Sequence, residues 1–450
     1  MMTLLTPCRL RLAYLLPFGF VLMFSISLVS PLNAQNGDTS DPSSDEVLRQ
    51  ADQIRQEQYR LGELVLKDYP DNFHAIRLMG YVHSSQGNLN EMFKCWQRCA
   101  DLEPGRADVL DQMAKHAMQA ERYKEAIEYW KKALVIDPNL PDAYQFIGEC
   151  LLNYGRPVDA RRSLELATKK DPKSAESFYL LGEAWFQAQE FEKAKQAFEK
   201  TVALQQNHTN AYYGLIKTCA RLGLSDEMAK YAQAFQQLEA AAYDLDQQNR
   251  REFDDLASMR QKLANTYFDA GRIYREQRPE QAERMWRRAT ELDIAHVGSR
   301  EALAGLYIKQ RNAAKAIEQY EALAQAVPTN PAYYRQLGLF YVGMRDFSKA
   351  EQALKTLIKL SPQDPMGYRT LAQVYLNTEQ KTDLTLKLAT RATQLQPNAE
   401  SQFILGLALA RTGQREQAIR TVQKAVELAP EKTSYQRFLE SLQRGSRADD

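Results

Sequence analysis

The sequence predicts an all-α fold: a right-handed superhelical solenoid of about ten stacked helix-turn-helix units in two arrays. Three observations carry that prediction. Pro70, Pro104, Pro138 and Pro172 stand 34 residues apart; the spacing returns at Pro328 and Pro362 and, adjusted by one residue, at Pro397 and Pro430. An alanine stands twelve residues before the proline at Ala126, Ala160, Ala316, Ala350 and Ala418, and a glycine 24 before it at Gly80, Gly148, Gly338 and Gly406. Eight before it comes a bulky side chain: Trp96, Trp130, Leu164, Tyr320 or Leu354. A fixed period in this range marks stacked repeats, in which no single unit can bury its apolar face alone.

The residue types fit two antiparallel helices packed face to face. Small residues let the helix axes approach, and the bulky one is expected to fill the gap between neighbouring pairs. The proline ends the second helix because it has no amide hydrogen and clashes with the preceding turn. Asn330-Pro331 and Asp364-Pro365 place a capping side chain before a proline at the first helical position. Breakers such as Ser85-Gln86-Gly87-Asn88, Asn153-Tyr154-Gly155-Arg156 and Arg411-Thr412-Gly413-Gln414 separate the helices of a pair.

The stretch Ala143-Tyr144, Gly148, Leu151, Gly155, Ala160, Leu164, Ala167, Pro172 resembles a tetratricopeptide repeat, as does Tyr334, Gly338, Tyr341, Ala350, Leu354, Pro362. Ten units can be counted, with second-helix ends near 104, 138, 172, 206, 238, 294, 328, 362, 397 and 430. The resemblance, of an exported bacterial type, covers about residues 71–430. Three units depart from it: Gln206 replaces the proline, Asn210–Leu238 is degenerate, and Asp383–Gln396 carries one extra residue.

In chain order, residues 1–34 read as a signal peptide: Arg9 and Arg11, an uncharged run from Leu12 to Ser30, then a cut after Ala34. The alternative is an uncleaved membrane anchor. Residues 35–44 are small and polar, a disordered spacer, and 45–70 form a capping helix for the first repeat. The first array occupies 71–239. Residues 240–262 hold no Pro or Gly and read as an extended connecting helix, either spacer, hinge or dimer surface. The second array occupies 263–430, and 431–450 form a capping helix and tail. The expected location is therefore outside the cytoplasm, periplasmic or secreted, with the N-terminally anchored form as the alternative.

With 58 Lys+Arg against 57 Asp+Glu there is no basic excess to displace counterions from nucleic acid, so no nucleic-acid partner is expected. There is no Gly-x-Gly-x-x-Gly, no phosphate loop, no Gly-x-Ser-x-Gly elbow and no His-Glu-x-x-His. No enzyme activity, cofactor or metal is expected. His83 falls in a core slot, whereas His74 and His116 could face water. Cys99 takes a small-residue slot and Cys219 a core slot, and Cys95 and Cys99 are poorly directed for a disulfide. Asn207-His208-Thr209 fits a glycosylation acceptor triplet.

The resemblance implies that first helices line a concave face whose non-core positions meet a protein or peptide partner. In this chain those positions are Arg77 and Tyr81; Asp111 and Lys115; Gln145 and Glu149; Tyr179, Glu183 and Phe186; and Tyr213, Lys217 and Arg221. The second array offers Phe268, Arg272 and Arg275, then Glu301, Arg335, Arg369 and Gln373. Tyr179, Phe186 and Tyr213 beside Lys217 and Arg221 make the aromatic and cationic mixture common in binding hot spots. The family's carboxylate clamp of lysines and asparagines is not matched, because Arg77/Tyr81 and Asp111/Lys115 stand at the corresponding positions. The expected function is a non-catalytic interaction scaffold. The alternatives are an accessory subunit of a cell-envelope export or assembly machine and, remotely, an enzyme.

Overall fold

Helices begin where the sequence supplies caps. In the computed structural model, which describes residues 44–252, 255–379 and 381–444, Asn330 and Asp364 each accept a hydrogen bond from the backbone two residues on, at 3.0 Å. His208 and His296 cap through Nδ1, accepting from the amide three residues on, Ala211 (3.2 Å) and Ser299 (3.1 Å). Two of the five histidines are thus helix caps, a role their spacing did not suggest.

Among the described residues there are twenty-two helices and no strand. Helix α1 (Ser44–Asp68) precedes five pairs: α2 (Phe73–Ser85) with α3 (Leu89–Leu102), α4 (Ala107–Gln119) with α5 (Tyr123–Ile136), α6 (Ala143–Asn153) with α7 (Pro157–Lys170), α8 (Ala175–Gln187) with α9 (Phe191–Leu204), and α10 (Thr209–Leu222) with α11 (Ser225–Glu252). Five more follow: α12 (Asp255–Tyr274) with α13 (Pro279–Leu292), α14 (Val297–Lys309) with α15 (Ala313–Ala326), α16 (Pro331–Gly343) with α17 (Phe347–Leu360), α18 (Pro365–Thr378) with α19 (Thr382–Leu395), and α20 (Ala399–Arg411) with α21 (Arg415–Leu428). Helix α22 (Thr433–Arg444) closes the series. Each helix packs mainly on its partner and its sequence neighbours, the contact pattern of a solenoid. The described residues from Val47 onward form one unit of contacts.

The proposed signal peptide 1–34, nearly all of the spacer 35–44 and the tail 445–450 lie outside the described residues. The stretch 240–262 is shared between α11 and α12, with residues 253 and 254 outside the description. No described helix is long and apolar enough to cross a membrane.

The sequence period has a direct steric origin. A Cβ on Gly338 would stand 2.6 Å from Leu354 Cδ2, and one on Gly182 would stand 2.6 Å from Phe198. The bulky residue therefore sits first against the glycine of its own pair, and only secondarily between pairs as expected; Phe198 does both, since Gly214 of the next pair also lies against its ring. The turn inside a pair keeps the same beat in the backbone. Gly87, Glu121, Gly155, Gln189 and Gly223 all have φ between 59° and 75°. Glycine takes that left-handed conformation freely, whereas Glu121 and Gln189 hold it at a cost of roughly 1–2 kcal/mol each.

Helix α1 faces two partners. Toward α2, Ser85 Oγ donates to Gln58 Oε1 (3.0 Å), and Tyr59 meets His83 edge to face (centroids 5.8 Å apart). Toward α12 and α13, Gln58 donates to Thr266 (3.0 Å), Tyr267 to Glu57 (2.8 Å), Tyr274 to Asp68 (2.5 Å) and Arg288 to Glu57 (3.0 Å). Leu61 and Val65 are buried in one cluster with Leu78, Ala270, Tyr274 and Trp286. The expected cap of the first repeat is thus also seated on the second array.

A repeated side-chain device shows what α1 does there. In the second array Tyr307 donates to Glu283 (2.9 Å), Tyr341 to Glu321, and Tyr375 to Glu351 (2.9 Å). Each acceptor lies on the second helix of the preceding pair, and a lysine (Lys315, Lys349 or Lys381) covers each ring within 5.3 Å. Tyr274 opens the series, but its acceptor Asp68 comes from α1 and its cation is Arg278, at 6.0 Å. Helix α1 stands where the preceding second helix would stand.

Candidate functional site

The first helices bring the sequence-selected residues into three settings. The first is the place where α2 meets α12. His74, Arg77 and Tyr81 on α2 face Asp269 and Arg272 on α12, and Arg275 in the turn just after it, across a cavity of about 250 Å³. Arg272 lies 3.5 Å from Asp269, and Arg275 lies 2.8 Å from the exposed Glu276. Arg77 has no carboxylate within ion-pair distance among the described residues; its guanidinium lies 5.7 Å from the Phe73 ring centroid. Burial, then Arg77, holds the His74 imidazole below its usual range, so it is neutral near pH 7. Burial pushes the Asp269 carboxyl up, opposed by Arg272 and Arg77. Phe268 does not line this cavity. Its ring packs near His296 (5.5 Å), and its carbonyl accepts from Trp286 Nε1 (3.1 Å).

The second setting joins α8 and α10. Lys217 Nζ lies 5.0 Å from the Phe186 ring centroid and 4.9 Å from that of Tyr213, and pairs with Glu183 at 3.5 Å. The Tyr213 ring is 49% exposed and leans on Phe235 at 6.0 Å. Arg221 is exposed one turn beyond Lys217 on α10. Tyr179 belongs elsewhere: it packs against Phe198 (5.9 Å) and His208 (4.9 Å) as part of the core edge. Tyr179 thus packs inward, while Tyr213 stands exposed.

The third setting is ion-paired scaffolding. Arg335 bonds Asp364 at 2.8 and 3.1 Å, tying α16 to the residue that caps α18. Arg369, its side chain 16% exposed, pairs with Glu400 at 3.2 Å. Asp111 is also buried, accepting from Trp130 Nε1 (2.9 Å) and Lys115 (2.7 Å), so it braces the core rather than facing a partner. His116, which by sequence could face water, is buried near Trp96. The four described cysteines are buried and unpaired, and burial pushes the Cys99 and Cys150 thiols up to about 12, far from reactive thiolates. Among the described residues no group of three or more His, Cys, Asp or Glu is placed to hold a metal.

Among the described residues, Glu149 on α6 carries the largest upward shift of a carboxyl. Burial, then the charge of Glu176, pushes it up to about 7 from 4.5. Between those values the unfolded chain releases a proton that the folded chain keeps, so stability falls as pH rises through that window. Glu149→Gln is expected to raise the melting temperature at pH 8 and leave it unchanged at pH 4. A pH series of thermal melts checks this, and equal effects at both ends would refute it.

Three tetratricopeptide repeat family models match the chain, at residues 117–184, 155–219 and 307–374, at 263–331, and at 399–432, together more than half of its length. The chain belongs to the tetratricopeptide repeat family. Among characterised members it is similar to the small glutamine-rich tetratricopeptide repeat-containing protein 2 of Mycosarcoma maydis (27% identical; 28% of this chain and 36% of that protein). It is also similar to the BBSome complex member BBS4 of Bos taurus (24% identical; 41% of this chain and 35% of that protein). The tetratricopeptide repeat chain therefore spans about a third of the length of these relatives. Among solved structures it resembles YrrB, described as a TPR protein with an unusual peptide-binding site (20% identical; 39% of this chain and 92% of that one; TM-score 0.36).

The α2–α12 cavity joins residues 77 and 272, which no local pattern could have paired. Asp269 was not selected from sequence at all. Its only local signal is its i,i+3 spacing to Arg272 on one helix face.

Proposed function

We propose that this tetratricopeptide repeat protein is a non-catalytic scaffold that binds a protein or peptide along the concave face formed by its first helices. The observation that carries this is the Phe186–Tyr213–Lys217 cluster: the exposed ring and the cation of α10 meet the ring of Phe186 on the preceding first helix, beside the exposed Arg221. Exposed aromatic and arginine side chains supply much of the binding energy at protein interfaces. The chain is expected to recover a specific partner from extracts of its native host, and Tyr213→Ala with Arg221→Ala is expected to lose it while the melting temperature holds. Retention of the same partner by the double variant would sink the assignment of that face.

A second reading is an accessory subunit of a cell-envelope export or assembly machine. It is favoured by the basic-then-apolar order of residues 1–34, which also supports an exported location. The relative BBS4 is by name a member of a complex. Fractionation of the native host would place the chain inside or outside the cytoplasm.

A further inference from the structure

We infer that the cavity between α2 and α12 receives carboxylates of an acidic peptide segment, with Arg77, Arg272 and Arg275 as its donors. This rests on the reading of the chain as a protein- or peptide-binding scaffold and names one part of what it binds.

The charge balance is the first argument. Three guanidiniums converge on one cavity whose lining holds the single carboxylate of Asp269, and Glu276, outside the lining, pairs with Arg275. Arg77 and Arg272 stand 195 positions apart in sequence, so their meeting is a product of the fold rather than of a locally basic run. Like charges gathered at one site repel each other, and an incoming anion relieves that repulsion. Arg77, with no carboxylate of its own among the described residues, is the donor with most to gain.

Shape and chemistry select the anion. A guanidinium offers a rigid fork of N–H donors that matches the two oxygens of a carboxylate, and such charge-assisted pairs are stronger than neutral ones. About 250 Å³ lies below the usual size of a pocket for a whole organic ligand but holds one or two acidic side chains. Leu78 and Ile273 also line the cavity and can pack against the methylene groups of a Glu, and Tyr81, 44% exposed, presents a ring at its edge. The chain as a whole is nearly neutral, so the positive character is local to this junction. The site differs in place and in residues from the aromatic cluster of α8 and α10. It is also built from both arrays, so a bound segment would bridge them.

Asp269 supplies a sign that a merely structural role would not. It lies against Arg272, competing for that guanidinium and repelling an anion. Removing its charge should tighten binding.

The test uses the full chain and a dye-labelled hexaglutamate peptide, with hexaglutamine as the uncharged control, read by fluorescence anisotropy. Hexaglutamate is expected to bind and hexaglutamine not. Arg77→Gln and Arg272→Gln should each weaken binding about tenfold, equivalent to about 1.4 kcal/mol. Asp269→Asn should strengthen it severalfold, and Lys424→Gln, at an exposed position of α21, should leave it unchanged. Thermal melts of each variant separate loss of the site from loss of the fold. Equal binding of hexaglutamine would overturn the proposal. So would indifference of hexaglutamate to Arg77→Gln and Arg272→Gln in folded protein, or its displacement by equimolar inorganic phosphate, which marks a general oxyanion site. If hexaglutamate fails while the Tyr213-dependent partner is still recovered, this cavity is refuted and the scaffold reading stands. The reverse pattern refutes the α8–α10 face alone.

Discussion

Leu61→Ala is expected to loosen both arrays at once, lowering stability by about 2–5 kcal/mol, the range for a buried leucine truncated to alanine. Leu61 is 4% exposed and Val65 fully buried, in a cluster that mixes α1, α2, α12, α13 and α14. In an ordinary solenoid a core truncation is felt by its own unit and the next, because each unit touches only its neighbours. Here α1 is a neighbour of two units far apart in sequence. It bonds Ser85 and packs on His83 on one side, and bonds Thr266, Tyr267 and Tyr274 on the other. Hydrogen exchange should therefore show lost protection in α2–α3 and α12–α13 together, with α16–α19 little changed. Protection lost in α2–α3 alone would show that α1 caps only the first array.

The second large effect is steric. Gly338→Ala puts a methyl 2.6 Å from Leu354 Cδ2, closer than carbon atoms tolerate, at a residue with no exposed surface to retreat to. Alanine improves helix propensity by up to about 1 kcal/mol over glycine, but overpacking a tight core costs about 1–3 kcal/mol, so the balance is a net loss. Leu354→Ala alone should cost about 2–5 kcal/mol through the cavity it opens. The double variant should be less damaged than the two losses added, because the new methyl occupies part of that cavity. Denaturant melts of the four proteins close the cycle. Strict additivity would mean that glycine and leucine are not the coupled pair that sets the period.

The same pair explains how much was legible beforehand. Gly at 24 and a bulky residue at eight before each proline are visible as spacing, and the structure presses them together in Gly338/Leu354 and Gly182/Phe198. The inter-helix turn was legible only where it holds glycine. Glu121 and Gln189 keep the left-handed conformation without signalling it, because the fold imposes that geometry on residues that do not prefer it. For the candidate site the sequence supplied residue types and helix faces but not company. Tyr179 has the same composition signal as Tyr213, yet one packs on Phe198 and His208 and the other stands half exposed. Arg335 and Arg77 read alike as surface arginines, and only contacts distinguish an arginine engaged by Asp364 from one facing a cavity.

By itself, then, the sequence determined the repeating unit, its helical pairs, the sites of close approach and the approximate number of units. Those are set by interactions within about 34 residues, which any periodic pattern records. Only the tertiary structure decided that α1 serves two arrays, that Asp68 takes the place of a glutamate from a preceding unit, and that Arg77 meets Arg272 and Arg275. Contacts between segments some two hundred residues apart depend on how the intervening units stack, and they occur once rather than periodically. They leave no repeat in the chain from which to read them.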